Sequence, residues 1–350
     1  MVFPVNGGQG LCTLIKWHTN IIYYAISVDP VAGVPFAEQN TISASADVPT
    51  NAVVWEETTY FAQGAKLYTL GPEEASFVET TIAISPHSLG LRAEKMYALL
   101  DDASNVVVSL SSDNFATVGV SVTVTSTGTN MVGLVALNND TVVAATSSGT
   151  NQVTLDIWRS DASFTAFTPT SVNFYQSITF PVTWSSAIDY VTGDMWVTGH
   201  EVTNASGALA VMAVKIPADG SAHITYDDIL STFVPANNYN LVGLLLSSVV
   251  TDASGATRLA LTQPIGAKGS GSYTSGIATL ADGASTFTTA FTNTSTSITQ
   301  HGDAIVNGNV LASFVYDGDR IVVPYNSTST TNLTFDASVT ETVVVNYALS

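Results

Sequence analysis

The stretch from Asn130 to Phe167 constrains the fold of this chain more than any other, because it contains a complete structural repeat. Three short segments of apolar and β-branched residues alternate with loops rich in Asn, Asp, Ser and Gly. Asp161-Ala-Ser-Phe-Thr165 then starts a fourth segment, the last strand of the unit. Four short strands joined by turns in so short a stretch are what one blade of a β-propeller requires. The stretch therefore predicts an all-β repeat protein.

Fainter copies of this unit recur along the chain. Asn130-Met-Val-Gly-Leu-Val resembles Asn240-Leu-Val-Gly-Leu-Leu, and a second series repeats a turn in which Thr stands four positions after Asp. The clear copies of that turn are Asp113 with Thr117, Asp161 with Thr165 and Asp282 with Thr286, and looser copies begin at Asp29, Glu73, Asp219 and Asn326. These seven starts are 40 to 63 residues apart. The spacing predicts one β-propeller domain over residues 1–350, with seven four-stranded blades and with six or eight as alternatives.

The repeat also bears on the structure of two further segments. Leu91–Leu100 has a composition that favours helix, but its position in the repeat predicts strand. The C-terminal segment Thr342–Leu349 predicts a strand with little chain after it. Because an open ring would expose the edges of its first and last blades, we expect this strand to complete the N-terminal blade that includes Leu14–Ser27.

The charge composition argues against two classes of partner. The chain has 28 acidic and 9 basic residues and a formal net charge of −19. Uniform acidity repels phosphate backbones and anionic lipid surfaces, so we expect neither nucleic-acid binding nor membrane insertion. Cys12 is the only cysteine, which excludes an internal disulfide and a cysteine metal cluster.

The acidic turns resemble the Asp box, the Ser-x-Asp-x-Gly-x-Thr-Trp turn repeated in sialidase-like propellers. Ser111-Ser-Asp113-Asn-Phe-Ala-Thr117-Val keeps Ser, Asp and Thr but has Phe115 for Gly and Val118 for Trp. The resemblance implies a structural hairpin turn whose Asp binds nearby backbone amides. It also implies an arginine cluster in any sialidase, and the four arginines of this chain do not form one in the sequence. They are Arg92, Arg159, Arg258 and Arg320.

Other catalytic patterns are incomplete. Neighbouring carboxylates on a strand face opposite sides, so adjacent acidic pairs make no glycosidase dyad. The five histidines follow no metal-ligand spacing. Asp189 with Asp194, and Asp317 with Asp319, offer oxygen ligands of the kind calcium prefers but complete no calcium loop. We therefore predict no cofactor and leave calcium as the open alternative.

A binding site is better located by geometry. Segments that enter the inner strand of each blade cross the central face of a propeller, and here they carry amide, imidazole and phenol groups that suit recognition of a sugar or peptide. The predicted central-face residues are His87, Asn130, Tyr175, Gln176, Asn238, Tyr239, Asn240, Gln300 and His301.

The function predicted from these features is non-enzymatic. The Ser/Thr/Ala/Val-rich, lysine-poor composition resembles that of phage structural proteins, and Met1 is not followed by an export signal. This composition indicates a structural or attachment protein of a virion, in a phage tail or on a capsid surface, that binds other virion proteins or a host glycan. The alternatives are a secreted or surface glycan-active enzyme of sialidase-like fold, which would be extracellular, and an intracellular scaffold propeller.

Overall fold

The computed structural model describes most of the chain between residues 2 and 326. The described residues are 2–5, 10–17, 21–27, 40–42, 47, 49–72, 74, 76–126, 129–174, 181–202, 209–227, 245–251, 255–262, 273–295, 299–306, 309–316 and 319–326. They form strands and turns, with one short 3-10 turn at Thr150–Gln152. Among them, no helix is long and apolar enough to cross a lipid bilayer.

Strands that follow one another in the chain pair into antiparallel sheets, so each sheet is a local meander. The first sheet contains β1 (Val2–Val5), β2 (Gly10–Trp17), β3 (Ile21–Ser27) and β4 (Asn40–Ile42). The second contains β5 (Val53–Trp55), β6 (Thr58–Gln63), β7 (Lys66–Leu70) and β8 (Val78–Thr81). The third contains β9 (Ser88–Arg92), β10 (Lys95–Asp102), β11 (Asn105–Ser111) and β12 (Val120–Ser126).

The remaining sheets continue the same order. The fourth contains β13 (Asn130–Ala136), β14 (Val142–Ser148), β15 (Thr154–Ser160) and β16 (Phe167–Asn173). The fifth contains β17 (Val182–Ile188), β18 (Met195–Val202), β19 (Leu209–Ile216) and β20 (Ile224–Asp227). The sixth contains β21 (Leu245–Thr251), β22 (Thr257–Thr262), β23 (Tyr273–Leu280) and β24 (Thr288–Ser295), and the described strands of the seventh are β25 (Thr299–Val306), β26 (Asn309–Tyr316) and β27 (Asp319–Asn326).

The sheets meet through their first strands, which we call the inner strands. From β5 to β25, the inner strand of each sheet contacts that of the next, and β25 also contacts β1. A parallel bridge between Asp189, just after β17, and Val249 of β21 shows that these two inner strands run in the same direction. Sheets whose inner strands lie side by side and run in the same direction fan outward from them, so the protein has an all-β, propeller-like fold.

The repeat unit predicted from Asn130 to Phe167 is a single sheet, the fourth. Its last strand begins at Phe167 rather than at Asp161, because Asp161–Ala166 forms the turn that precedes it. The Leu91–Leu100 segment is confirmed as strand and contains a hairpin. Ala93 and Glu94 have φ of 47° and 62°, the left-handed values that a two-residue hairpin turn requires.

The first sheet takes four strands from residues 2–42, whereas the prediction had the C-terminal strand complete this sheet. Leu14–Ser27 spans parts of β2 and β3, and β1 and β4 supply the other two strands of that sheet. This sheet therefore has four strands without any contribution from the C-terminus. Thr342–Leu349 lies outside the described residues.

The hydrophobic core consists of layers between successive sheets. Leu99 and Val108 of the third sheet pack with Leu134 and Ala144 of the fourth. The opposite face of the fourth sheet packs on the fifth in the same way. The period-2 alternation of each strand therefore supplies apolar side chains to two layers at once, which is why several strands are buried on both faces.

The inner strands approach one another closely at glycines. A Cβ atom built on Gly133 of β13 would lie 2.3 Å from Ser186 Oγ of β17. That hydroxyl donates a hydrogen bond of 2.7 Å to the carbonyl oxygen of Val132. Gly133, a residue of the predicted repeat, is thus required because a neighbouring inner strand occupies the space of its side chain.

We predict that Gly133→Ala lowers the free energy of unfolding by about 1–3 kcal/mol, because the added methyl group overpacks the contact with Ser186. Chemical denaturation of the wild type, Gly133→Ala, Ser186→Ala and the double variant measures the effect. Removing the Ser186 hydroxyl should reduce the cost of the added methyl, giving a favourable coupling energy. Additive effects of the two substitutions would contradict the predicted steric contact.

Candidate functional site

The sheets present two chemically different ends. The end at which the inner strands begin, next to Asn51, His87, Asn130 and Val182, is called the start face. The opposite end, which carries the connections between the third and fourth strands, is called the turn face. Antiparallel order places the end of each second strand at the start face as well.

Asn51 joins the second and third sheets at the start face. Its Nδ2 donates to the carbonyl oxygen of Leu89 at 2.9 Å, and its Oδ1 accepts from the backbone N–H of Leu89 at 2.8 Å and from the Ser88 hydroxyl at 2.7 Å. These bonds satisfy backbone groups on the inner edge of β9 that no strand pairs with. They fix the backbone directly beside His87.

His87 is the titratable residue next to the backbone that Asn51 holds in place. Its backbone N–H donates to the carbonyl oxygen of Leu99 at 2.8 Å, which places it one residue before β9. The imidazole is exposed to solvent. The surrounding protein nevertheless disfavours its charged form and lowers its pKa below the ordinary value, while a hydrogen bond with the backbone of Met131 acts in the opposite direction. The residue is thus accessible to solvent although protein surrounds its ring.

Asn130 lies beside this histidine. It is the first residue of β13, directly before Met131, and its side chain is exposed. Within the described part of the chain its amide makes no hydrogen bond. The structure therefore brings together two of the predicted central-face residues, from adjacent sheets, with one imidazole and one free amide directed to the same end.

The other predicted central-face residues are only partly described. Gln300 and His301 lie near the beginning of β25, an inner strand, where a register shift occurs between Gln300 and Gly302. Their side chains are not described. Tyr175, Gln176, Asn238, Tyr239 and Asn240 lie outside the described residues, so their part in a site stays a prediction.

Sequence reasoning missed a second group of residues near the start face. The Trp184 indole N–H donates to the carbonyl oxygen of Gln152 at 2.7 Å, and the ring lies against Gly199, where a Cβ would be 2.4 Å from it. His200 and Glu201 follow in β18, and both are buried. They belong to no motif, and only the pairing of β18 with β17 brings them to this end.

The acidic turns lie at the turn face, between the third and fourth strands of their sheets. Asp161 accepts hydrogen bonds from the Thr165 backbone N–H and hydroxyl, both at 2.6 Å, and from the Ala166 N–H at 3.1 Å. These bonds lower the pKa of Asp161. The carboxylate thus satisfies turn donors and is unavailable to a substrate on the start face.

The other two clear copies differ in their hydrogen bonds. Asp113 accepts from the hydroxyls of Ser111 and Thr117, at 2.6 and 2.7 Å, and these bonds lower its pKa. In the Asp282 copy the turn closes through the backbone, where Ala284 N–H donates to Ala281 O at 3.0 Å. No hydrogen bond joins the Asp282 and Thr286 side chains in the described structure.

The two arginines whose side chains are described also lie at the turn face. Arg92 donates to the Asn138 side chain and backbone oxygens, both at 2.9 Å, and lies 3.6 Å from Asp140. Arg159 donates to the carbonyl oxygens of Gly220 and Ser221 at 3.3 and 2.8 Å. Each arginine joins one sheet to the next, so neither forms part of a carboxylate-binding cluster at the start face.

The Asp189 and Asp194 carboxylates are committed to local structure. Asp189 accepts from the N–H groups of Val191 and Thr192 and from the Thr251 hydroxyl. Asp194 accepts from the Ala218 N–H at 2.7 Å and pairs with Lys215 Nζ at 2.8 Å. Among the described residues, no three His, Cys, Asp or Glu side chains are grouped as metal ligands.

Comparison with known proteins identifies the fold. No family model matches the chain, and no curated protein is similar to it in sequence. A solved structure of a "putative 6-phosphogluconolactonase" from Bacteroides fragilis has a TM-score of 0.50 at 10% identity, over 93% of this chain and 98% of that one. A fungal alcohol oxidase in complex with copper has a TM-score of 0.51 at 12% identity, over 89% of this chain and 69% of that one. At these identities the likeness shows a propeller-like fold alone.

The same comparison corrects one prediction. The sequence indicated a protein that is not an enzyme, yet solved structures that match most of this chain include proteins named as a lactonase and an oxidase. The non-enzymatic prediction was wrong because it relied on composition. Ser/Thr/Val-rich strands with few lysines are what the propeller-like architecture itself requires, whatever its use.

We predict that Asp161→Ala lowers the melting temperature at pH 7, because three donors of the Ser160–Phe167 turn lose their acceptor. The folded-state pKa of Asp161 is lowered, so its contribution is present above the ordinary pKa of Asp and is lost as the pH falls through the folded-state value. The difference between wild type and variant should therefore shrink in strong acid. Asp101→Ala, at an exposed carboxylate near the end of β10 that makes no side-chain hydrogen bond in the described structure, is the control; an equal loss in both variants would contradict the turn role.

Proposed function

We propose that the protein is a glycan-active enzyme whose site is the part of the start face around His87. The observation that supports this proposal is the combination of exposure, position and lowered pKa at the His87 imidazole. It is exposed, it is fixed beside the inner strand by Asn51 and Met131, and its pKa lies below the ordinary value. A histidine of this kind is neutral at pH 7 and can accept a proton.

The neighbouring groups suit a substrate rich in hydroxyls. The Asn130 amide offers both donors and an acceptor to sugar hydroxyls. His87, at the start of the neighbouring inner strand, then accepts a proton from a substrate hydroxyl or from an attacking water. Because the described arginines are bound at the turn face, the proposal favours an uncharged carbohydrate over the acid sugars that sialidases bind.

The architecture proposed for this enzyme is a closed ring of seven blades. Seven sheets follow one another along the chain, from β5 to β25 through contacts between inner strands, and the contact between β25 and β1 supports closure between the last sheet and the first. The acidic turns at Asp113 and Asp161 stand between third and fourth strands, which supports their equivalence to Asp boxes. The two similar structures named as enzymes support the proposal that this fold carries a reaction here.

The cellular setting stays a prediction. A secreted or surface location fits a glycan-active enzyme, and the predicted virion location, with virion proteins or a host glycan as partners, is not part of this proposal. An intracellular scaffold has no observation in its favour.

We predict that His87→Asn reduces kcat/KM on a neutral polysaccharide by about 10²- to 10⁴-fold, the usual contribution of a general base. A panel of neutral polysaccharides and aryl glycosides, assayed for new reducing ends and for ultraviolet-absorbing unsaturated products, identifies the substrate with wild-type protein. Because the pKa of His87 is lowered, the acid limb of the wild-type rate profile should lie below pH 6.5, the ordinary histidine value.

His223→Asn is the matched control for this prediction. His223 lies between β19 and β20, at the turn face, and should leave turnover unchanged. Turnover that survives in His87→Asn would exclude the general-base role. Failure of the wild type to convert any member of the panel would contradict the proposed activity itself.

A further inference from the structure

His200 is a buried histidine whose polar atoms are unused. It lies in β18, the residue is 1% exposed, and neither Nδ1 nor Nε2 has a hydrogen-bond partner among the described residues. The residues opposite it are Thr183 of β17 and Val211 of β19. Buried polar groups are nearly always paired, so an imidazole with both nitrogens unpaired needs a physical explanation.

The ring lies in the seam between the fifth and sixth sheets. Alternate residues of a strand share a face, so His200 faces the same side as Thr198 and Trp196. Val211, opposite His200, packs in one cluster with Leu246 of the sixth sheet. Beside this cluster, Ser185 Oγ lies 3.2 Å from Thr198 Oγ1 and accepts from the Leu246 N–H at 2.8 Å. That N–H to hydroxyl bond joins the inner strands of the two sheets.

The charged groups on this seam lie toward its other end. Lys215 of β19, paired with Asp194, is in register with Trp196, four residues and roughly 13 Å along the strand from His200. Tyr226 of β20 stacks on Trp196, and Asp189 follows β17 at the turn face. Glu201 follows His200 on the opposite face of β18.

Protonation of His200 therefore places a charge in a buried seam of apolar and hydroxyl side chains, with no carboxylate facing it from β17, β18, β19 or β21 in the described structure. We propose that His200 is an acid-operated latch: its neutral ring keeps the seam between the fifth and sixth sheets closed, and its protonation opens the seam at the start face. The latch does not depend on the proposed glycan activity, because it follows from the packing of the two sheets alone.

The sign and size of the effect follow from proton linkage. Burial lowers the pKa of His200 to about 4, from an ordinary value of 6.5. An open seam takes up a proton as the pH falls below 6.5, whereas the closed seam does so only near pH 4. The closed seam therefore loses stability between these two values, and its opening constant rises about 30-fold between pH 7.5 and pH 5.

Hydrogen–deuterium exchange on the full chain tests the latch. After correction for intrinsic exchange, β17, β18 and β21 should exchange about 30-fold faster at pH 5 than at pH 7.5, while the strands of the third sheet change much less. His200→Leu, which replaces the unpaired ring with an apolar side chain, should abolish the acid-specific increase. It should also slow exchange of these strands at pH 7.5, since no unpaired polar atoms remain buried there.

His223→Gln is the control, because His223 also has a lowered pKa but lies outside the seam; it should keep the acid response. If His200→Leu does not fold, His200→Gln provides a non-titrating polar replacement with the same expected loss. An acid increase that persists in either variant, or a wild type whose fifth–sixth seam shows no local increase at pH 5, would overturn the proposal.

Discussion

The structure depends on how the inner edges of its sheets are satisfied. Each sheet fans outward from an inner strand, and the inner edge of that strand has backbone N–H and C=O groups that no further strand can pair with. Buried groups of this kind must find partners. Side chains of neighbouring sheets provide them: Asn51 bonds both backbone groups of Leu89, Ser186 donates to Val132 O, and Ser185 accepts from Leu246 N–H.

These bonds also determine where functional groups can stand. A hydroxyl or amide reaches the neighbouring backbone only if the two strands approach closely, and Gly133 allows this where a methyl group would meet Ser186. The same hydrogen bonds hold the beginnings of the inner strands in place, where His87 and Asn130 lie. A site on a rigid strand end positions its groups more precisely than one on a free loop. The need to satisfy the inner edges of the sheets therefore also organises the start face.

The strand pattern within a sheet could be predicted from the sequence, whereas the contacts between sheets mostly could not. Asn130–Phe167 could be predicted as one sheet because alternation and turn residues are local signals, and the Leu91–Leu100 hairpin followed once the repeat overrode composition. Asn51 and Ser186 could not be predicted, since their partners lie in other sheets and no motif marks them. His87 and Asn130 were accessible because they precede inner strands, whereas His200 shows its character only when the pairing and the sheet behind it are known.

Several acidic residues of the chain have a structural role that its net charge does not indicate. An ionised carboxylate only accepts hydrogen bonds, so it suits a tight turn that leaves several N–H groups unpaired. Asp161, Asp189, Asp194 and Asp219 each accept backbone N–H groups in this way at the turn face. Since the described arginines join sheets at that same end, much of the strong charge chemistry there stabilises turns and junctions. The start face carries the neutral amide, hydroxyl and imidazole groups of Asn51, Ser88, Asn130 and His87, and these groups match an uncharged, hydroxyl-rich ligand. Its carboxylates stand at the ends of second strands, at Asp101, Asp102 and Glu201.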